Sequence, residues 1–185
     1  MNDKRMREQL IELIPEFNEI RNEELRDKVI QTWIEAHKRG GWTPEQLKKI
    51  PFSLLIKDLD VSFLEHVRAT AKMSAALHDV LVGHYGSKMS LDRDILLAGT
   101  LIADVGKLME YQPDPDKGAI KAKHGNYLRH PFSSVGLGWE QGLPDEVLHI
   151  AAVHSKEGTG FRRSPEAIIF HHADFVDFQI FGGGY

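Results

Sequence analysis

Ten histidines and no cysteine set the chemistry of this 185-residue chain. Four polar side chains fall inside otherwise apolar stretches: His66 in FLEHVRATAKMSAAL, Asp104 in LLAGTLIADVGKL, His154 at the close of HIAAVHSKEG, and Asp174 in IIFHHADFVDF. A carboxylate among apolar side chains is costly to bury unless a cation or hydrogen bonds compensate it. Two such carboxylates in the company of histidines point to a metal ion. Mixed imidazole and carboxylate ligation suits manganese, iron, cobalt, nickel or zinc rather than calcium. Each residue also has a plainer use: a buried histidine can be a satisfied core or capping group, Asp104 can pair with Lys107 one turn later, and Asp174 can bond nearby backbone. Residue types alone leave both readings open. The lack of cysteine excludes disulfide scaffolds, zinc knuckles, iron–sulfur clusters and thiol nucleophiles. Ser133 and Ser134 have no nucleophile-elbow context, which leaves water as the nucleophile of any hydrolysis.

The elements that must carry these residues read as helices. From Asp3 to about Arg39, apolar positions recur in steps of three and four (Leu10, Leu13, Ile14, Phe17, then Leu25, Val29, Ile30, Trp33, Ile34), the mark of amphipathic helices with one buried face. Pro15 marks a boundary or kink, and Gly40-Gly41 ends the second helix. Thr43-Pro44-Glu45-Gln46 starts a short helix with a capping box, and Pro51 stops it. A helical pattern runs from Val61 to about His84, and a further helix from Ser90 through ILLAGTLIADVGKLM. Residues 112–126, with Pro113, Pro115, Gly118 and Gly125, read as an exposed loop. Helices follow from about Pro131, over Glu146 to His154, and from Ser164-Pro165-Glu166 through Phe178. No alternating strand pattern of useful length stands out, so the expected fold is all-α: an N-terminal helical extension (1–50), a helical domain holding the polar cluster (51–180) and a loose tail (181–185).

Composition narrows the function classes. With a net charge of -4 and a sequence pI of about 6.2, the chain lacks the basic excess of a general nucleic-acid binder. No apolar run approaches the roughly 20 residues of a membrane span, and MNDKRMREQL lacks the apolar core of a secretory signal. The expected location is the cytoplasm.

The order His66, then Asp104-x-Gly106-Lys107, His130-Pro131, His154 and Ala173-Asp174 resembles the HD-domain superfamily of metal-dependent phosphohydrolases. The resemblance spans about Val61 to Phe178 and implies a helical bundle with one ligand per helix or loop. It implies that His66 is the first ligand histidine, that Asp104 is the aspartate of the defining His-Asp pair, and that Asp174 is the final aspartate. His130 and His154 match the two histidines that hold a second metal in the binuclear branch, and Lys107 matches a lysine near a substrate phosphate. One position departs from the pattern: Ala103 stands where the histidine of the pair belongs, and a methyl cannot ligate. His78-Asp79 falls too early to replace that pair and reads as a solvated face. His171, three residues before Asp174 on the same helical face, is a candidate substitute ligand or a group that orients one. His172 points about 100° away from it on a helix. The implied cofactor is one or two divalent transition-metal ions.

Around these positions Lys121, Lys123, His124, Arg129, Arg162 and Arg163 could balance the charge of a phosphoryl group, or be ordinary solvated loop charge. The resemblance implies hydrolysis of a small phosphorylated compound or nucleotide by a metal-activated water, with Asp104 and Lys107 in catalytic roles. Ala103 supports an alternative, a degenerate domain that binds metal, nucleotide or a partner without turnover. A di-iron oxygenase of the same superfamily ranks lower, because the missing histidine removes one of its ligands. The N-terminal helices either cover the core or form a homo-oligomer face.

Overall fold

A computed structural model describes residues 3–56 and 60–182. The chain is mostly helical. Helix α1 (Asp3–Leu13) leads through a 3-10 turn that starts at Pro15 into α2 (Glu23–Gly40) and the short α3 (Pro44–Leu47). The long α4 (Phe63–Tyr85) and α5 (Arg93–Ala103) follow, then the short α6 (Lys107–Glu110). Strands β1 (Tyr111–Asp114) and β2 (Gly118–Lys121), α7 (His130–Glu140), α8 (Asp145–Val153) and α9 (Pro165–Gly182) complete the described chain.

Local sequence accounts for most boundaries. The Asn22 side chain caps α2 by accepting from Leu25 N–H, with Glu23 and Glu24 in the first turn and Lys38 and Arg39 in the last. That charge order suits the helix dipole. Gly41 ends the helix at φ 70°, a left-handed conformation that favours glycine. Reciprocal capping boxes, Thr43 with Gln46 and Ser62 with Glu65, start α3 and α4.

α5 is the central helix, with every residue from Leu96 to Ala103 buried. It lies against α8 so closely that a β-carbon at Gly99 would stand 2.4 Å from Ile150 Cδ1. The N-terminal helices close the same core rather than standing apart: Met6, Leu10, Phe17 and Trp33 join one apolar cluster with Leu97, Leu101 and Val147. Two buried indoles fix the join, Trp33 donating to Leu101 O at 2.8 Å and Trp42 to Leu108 O at 2.7 Å. Truncating a fully buried Trp33 to Ala would cost about 3–5 kcal/mol.

Four expectations change. The helix expected from Ser90 to Met109 is two helices, because Ser134 enters the backbone ladder: its hydroxyl donates to Ala103 O at 2.8 Å and accepts from Gly106 N–H at 2.9 Å. Asp104 therefore occupies the end of α5, with residues 104–106 in a turn, rather than the middle of a helix. The loop expected over 112–126 contains an antiparallel hairpin, with Tyr111 opposite Lys121 and Asp114 opposite Gly118. The Asp114 carboxylate closes its turn by accepting from Asp116 and Lys117 N–H, and Gly118 supplies φ 73°. In the expected loose tail, Phe181 and Gly182 belong to α9, while 183–185 lie outside the described residues. Lastly, His78 is buried, though its partner Asp79 is exposed.

Candidate metal centre

Asp104 is the hub. Its backbone turn, pinned by Ser134, aims the carboxylate into the space between α4, α7, α8 and α9. His66 from α4 places Nε2 3.0 Å from Asp104 Oδ2. His130, first residue of α7, places Nε2 3.2 Å from Oδ1, and His154, at the end of α8, places Nε2 3.6 Å from the same oxygen. Asp174 on α9 brings Oδ1 to 3.2 Å from His66 Nε2. The side chains of His66, Asp104, His130 and His154 are almost fully buried, and Asp174 retains 14% exposure.

The orientation of each imidazole is fixed from behind. His66 Nδ1–H donates to Asp177 Oδ2 at 2.8 Å, His130 Nδ1–H to Glu110 Oε2 at 2.7 Å, and His154 Nδ1–H to the Ala151 carbonyl at 2.8 Å. With Nδ1 committed to acceptors, all three rings turn Nε2 inward, where it can hold a proton or a metal ion. Carboxylate or carbonyl partners on the outer nitrogen are the usual support of a metal-bound histidine. Donor atoms held about 2.0–2.1 Å from a common ion stand roughly 3–3.4 Å apart, close to the spacings found. Two sets of three donors have their ligand atoms within 4.8 Å of one another, Asp104 with His130 and His154, and Asp104 with His66 and Asp174. These residues could hold a metal ion.

Electrostatics follow the same geometry. Burial opposes charge on Asp104, but Lys107 and the three imidazoles outweigh it and hold the carboxyl well below the usual range. Burial also works against a charged His66, yet hydrogen bonds to Asp104, Asp174 and Asp177 push its pKa up to about 10. Burial prevails at His130 and lowers its pKa, whereas at His154 Asp104 prevails over burial and raises it.

Lys107 is buried and donates from Nζ to Asp104 Oδ2 at 2.9 Å and to Phe52 O at 3.2 Å. Phe52 in turn stacks on His66, ring centroids 4.0 Å apart. The Ala103 methyl is buried in the core and offers no donor. His171 belongs to neither donor set; its Nδ1–H donates to the His154 carbonyl at 2.6 Å, holding the end of α8. His172 is exposed.

Three of the basic groups of the surrounding loops are engaged by protein partners. Arg129 pairs with Glu157 at 2.7 Å and approaches Glu110 at 3.6 Å. His124 Nε2 meets Ser133 Oγ at 2.8 Å, and Arg163 donates to Val153 O. Lys121, Lys123 and Arg162 are exposed.

Sequence reasoning missed Asp177, Glu110 and Phe52. Asp177 was within reach, since it follows Asp174 by three residues and shares its helical face. Glu110 had no such signal, because the hairpin is what folds residues 122–130 back onto it: Ala122 N–H donates to Glu110 O, and a β-carbon at Gly125 would stand 2.5 Å from that oxygen. Comparison with known proteins finds no family model, no curated protein and no solved structure that matches the chain.

Proposed function

We propose that the chain is a metal-dependent phosphohydrolase of the HD-domain type, acting on a small phosphorylated compound or nucleotide. The observation that carries the reading is the convergence of three Nε2 atoms on Asp104, each ring fixed through Nδ1. A merely structural cluster has no need of so many buried, pre-oriented donors. When bound, a divalent transition metal supplies a water of lowered pKa and polarises a phosphoryl oxygen. The protein's own contribution is to fix the donors through Glu110, Asp177 and Ala151, and to hold Asp104 ionised through Lys107. The Lys107 ammonium also opposes negative charge that develops beside Asp104.

Ala103 favours a second reading, a domain that binds metal or nucleotide without turnover. Its buried methyl removes a donor that the resemblance calls for. Metal-reconstituted protein, challenged with phosphomonoesters and nucleotides, separates the two by release of inorganic phosphate. Release that disappears with chelator and in Asp104→Asn supports hydrolysis. Bound metal with no release from any substrate moves the assignment to the binding module.

A further inference from the structure

The two oxygens of Asp104 face different surroundings. Oδ1 meets two imidazole nitrogens, His130 Nε2 at 3.2 Å and His154 Nε2 at 3.6 Å. Oδ2 already carries a cation, the Lys107 ammonium at 2.9 Å, together with His66 Nε2 at 3.0 Å. Lys107 is firmly held there: its second bond goes to Phe52 O, and its ammonium lies 5.1 Å and 5.7 Å from the ring centres of Phe52 and Phe63. An ion ligated at about 2.1 Å by Oδ2 would stand within roughly 5 Å of this ammonium, in a buried space where water screens little.

We infer that the centre takes a single divalent transition-metal ion, on Asp104 Oδ1, His130 Nε2 and His154 Nε2, and that Lys107 occupies the cation position on the Oδ2 side facing His66 and Asp174. The inference rests on the reading of this cluster as a metal centre and adds which half is used. Two imidazoles and one carboxylate, with positions left open, form a ligand set that suits iron(II) or manganese(II). His66 and Asp174 then form a polar wall beside the ion rather than ligands to it, with Asp177 keeping His66 in place.

The test is titration of chelator-stripped protein with manganese(II) alone, read by calorimetry, with pulsed electron paramagnetic resonance to count the imidazole nitrogens coupled to the bound ion. One equivalent with two coupled imidazoles is expected. Among variants that keep their helical circular dichroism, His66→Gln retains that equivalent and His154→Gln loses it. Two equivalents, or one equivalent with a single coupled imidazole, would overturn the inference and leave the metal centre standing. No binding at all would overturn both. The nitrogen count uses unmodified protein, so the inference stays testable even if a variant fails to fold.

Discussion

One carboxylate oxygen, Glu110 Oε2, accepts both the Nδ1–H and the backbone N–H of His130, each at 2.7 Å. This pair of hydrogen bonds to a single oxygen fixes the start of α7 and the plane of the imidazole together. Glu110→Gln keeps the shape but removes the charge and can offer its one carbonyl oxygen only in the right rotamer. It is expected to weaken metal binding by about 10–100-fold with the helical signal unchanged. A competition titration against a chelating dye measures this, and wild-type affinity would remove Glu110 from the centre's support.

The turn carrying Asp104 depends on Ser134. Ser134→Ala orphans Gly106 N–H and Ala103 O, both buried, and should destabilise the fold by about 1–3 kcal/mol. Urea unfolding checks the stability, and metal affinity should fall with it because Asp104 lies between the two orphaned groups. A neutral effect on both would mean that the turn holds itself.

Gly106 is required by packing. A β-carbon there would stand 2.4 Å from His130 O and 2.9 Å from Ser133 Cβ. Gly106→Ala must therefore push α7 away, at a cost of about 1–3 kcal/mol or more, and carry His130 off Asp104. Thermal unfolding and metal titration should both report a loss.

The pH dependence of the metal-free protein follows from His66. Its pKa rises to about 10 from 6.5, so the folded state holds a proton that the unfolded chain releases. The stability it contributes is fully present below about pH 6.5 and is lost as pH rises through about 10. His154, raised by Asp104, adds in the same sense, and His130, lowered by burial, adds in the opposite one. Urea unfolding of chelator-treated wild type beside His66→Gln isolates the effect. Their stability difference should shrink from pH 6.5 towards 10; a constant difference would contradict it.

Much of this arrangement is legible in the residues, and the exceptions have physical causes. Helical periodicity and caps such as Thr43 with Gln46 are local, so they survive into the structure unchanged. The same is true of the pull between apolar helices and the polar His66, Asp104, His154 and Asp174. What sequence hides is tertiary. The break after Ala103 comes from Ser134, some thirty residues away in the chain, and no local propensity records it. The pairing of Glu110 with His130 depends on the hairpin that returns the chain to Glu110, and its strands are too short to show an alternating pattern. Lys107, three residues from Asp104, announces the ion pair but not the Phe52 carbonyl that holds its other bond.

The proposed metal centre stands or falls on Asp104. Elemental analysis of protein purified without chelator or nickel affinity resin, beside folded Asp104→Asn, tests it most directly. A stoichiometric transition metal in wild type, absent from the variant, is the predicted result. Wild type that is metal-free and gains no stability from added manganese, iron or nickel, or a variant that keeps its metal, would contradict the assignment of a metal centre.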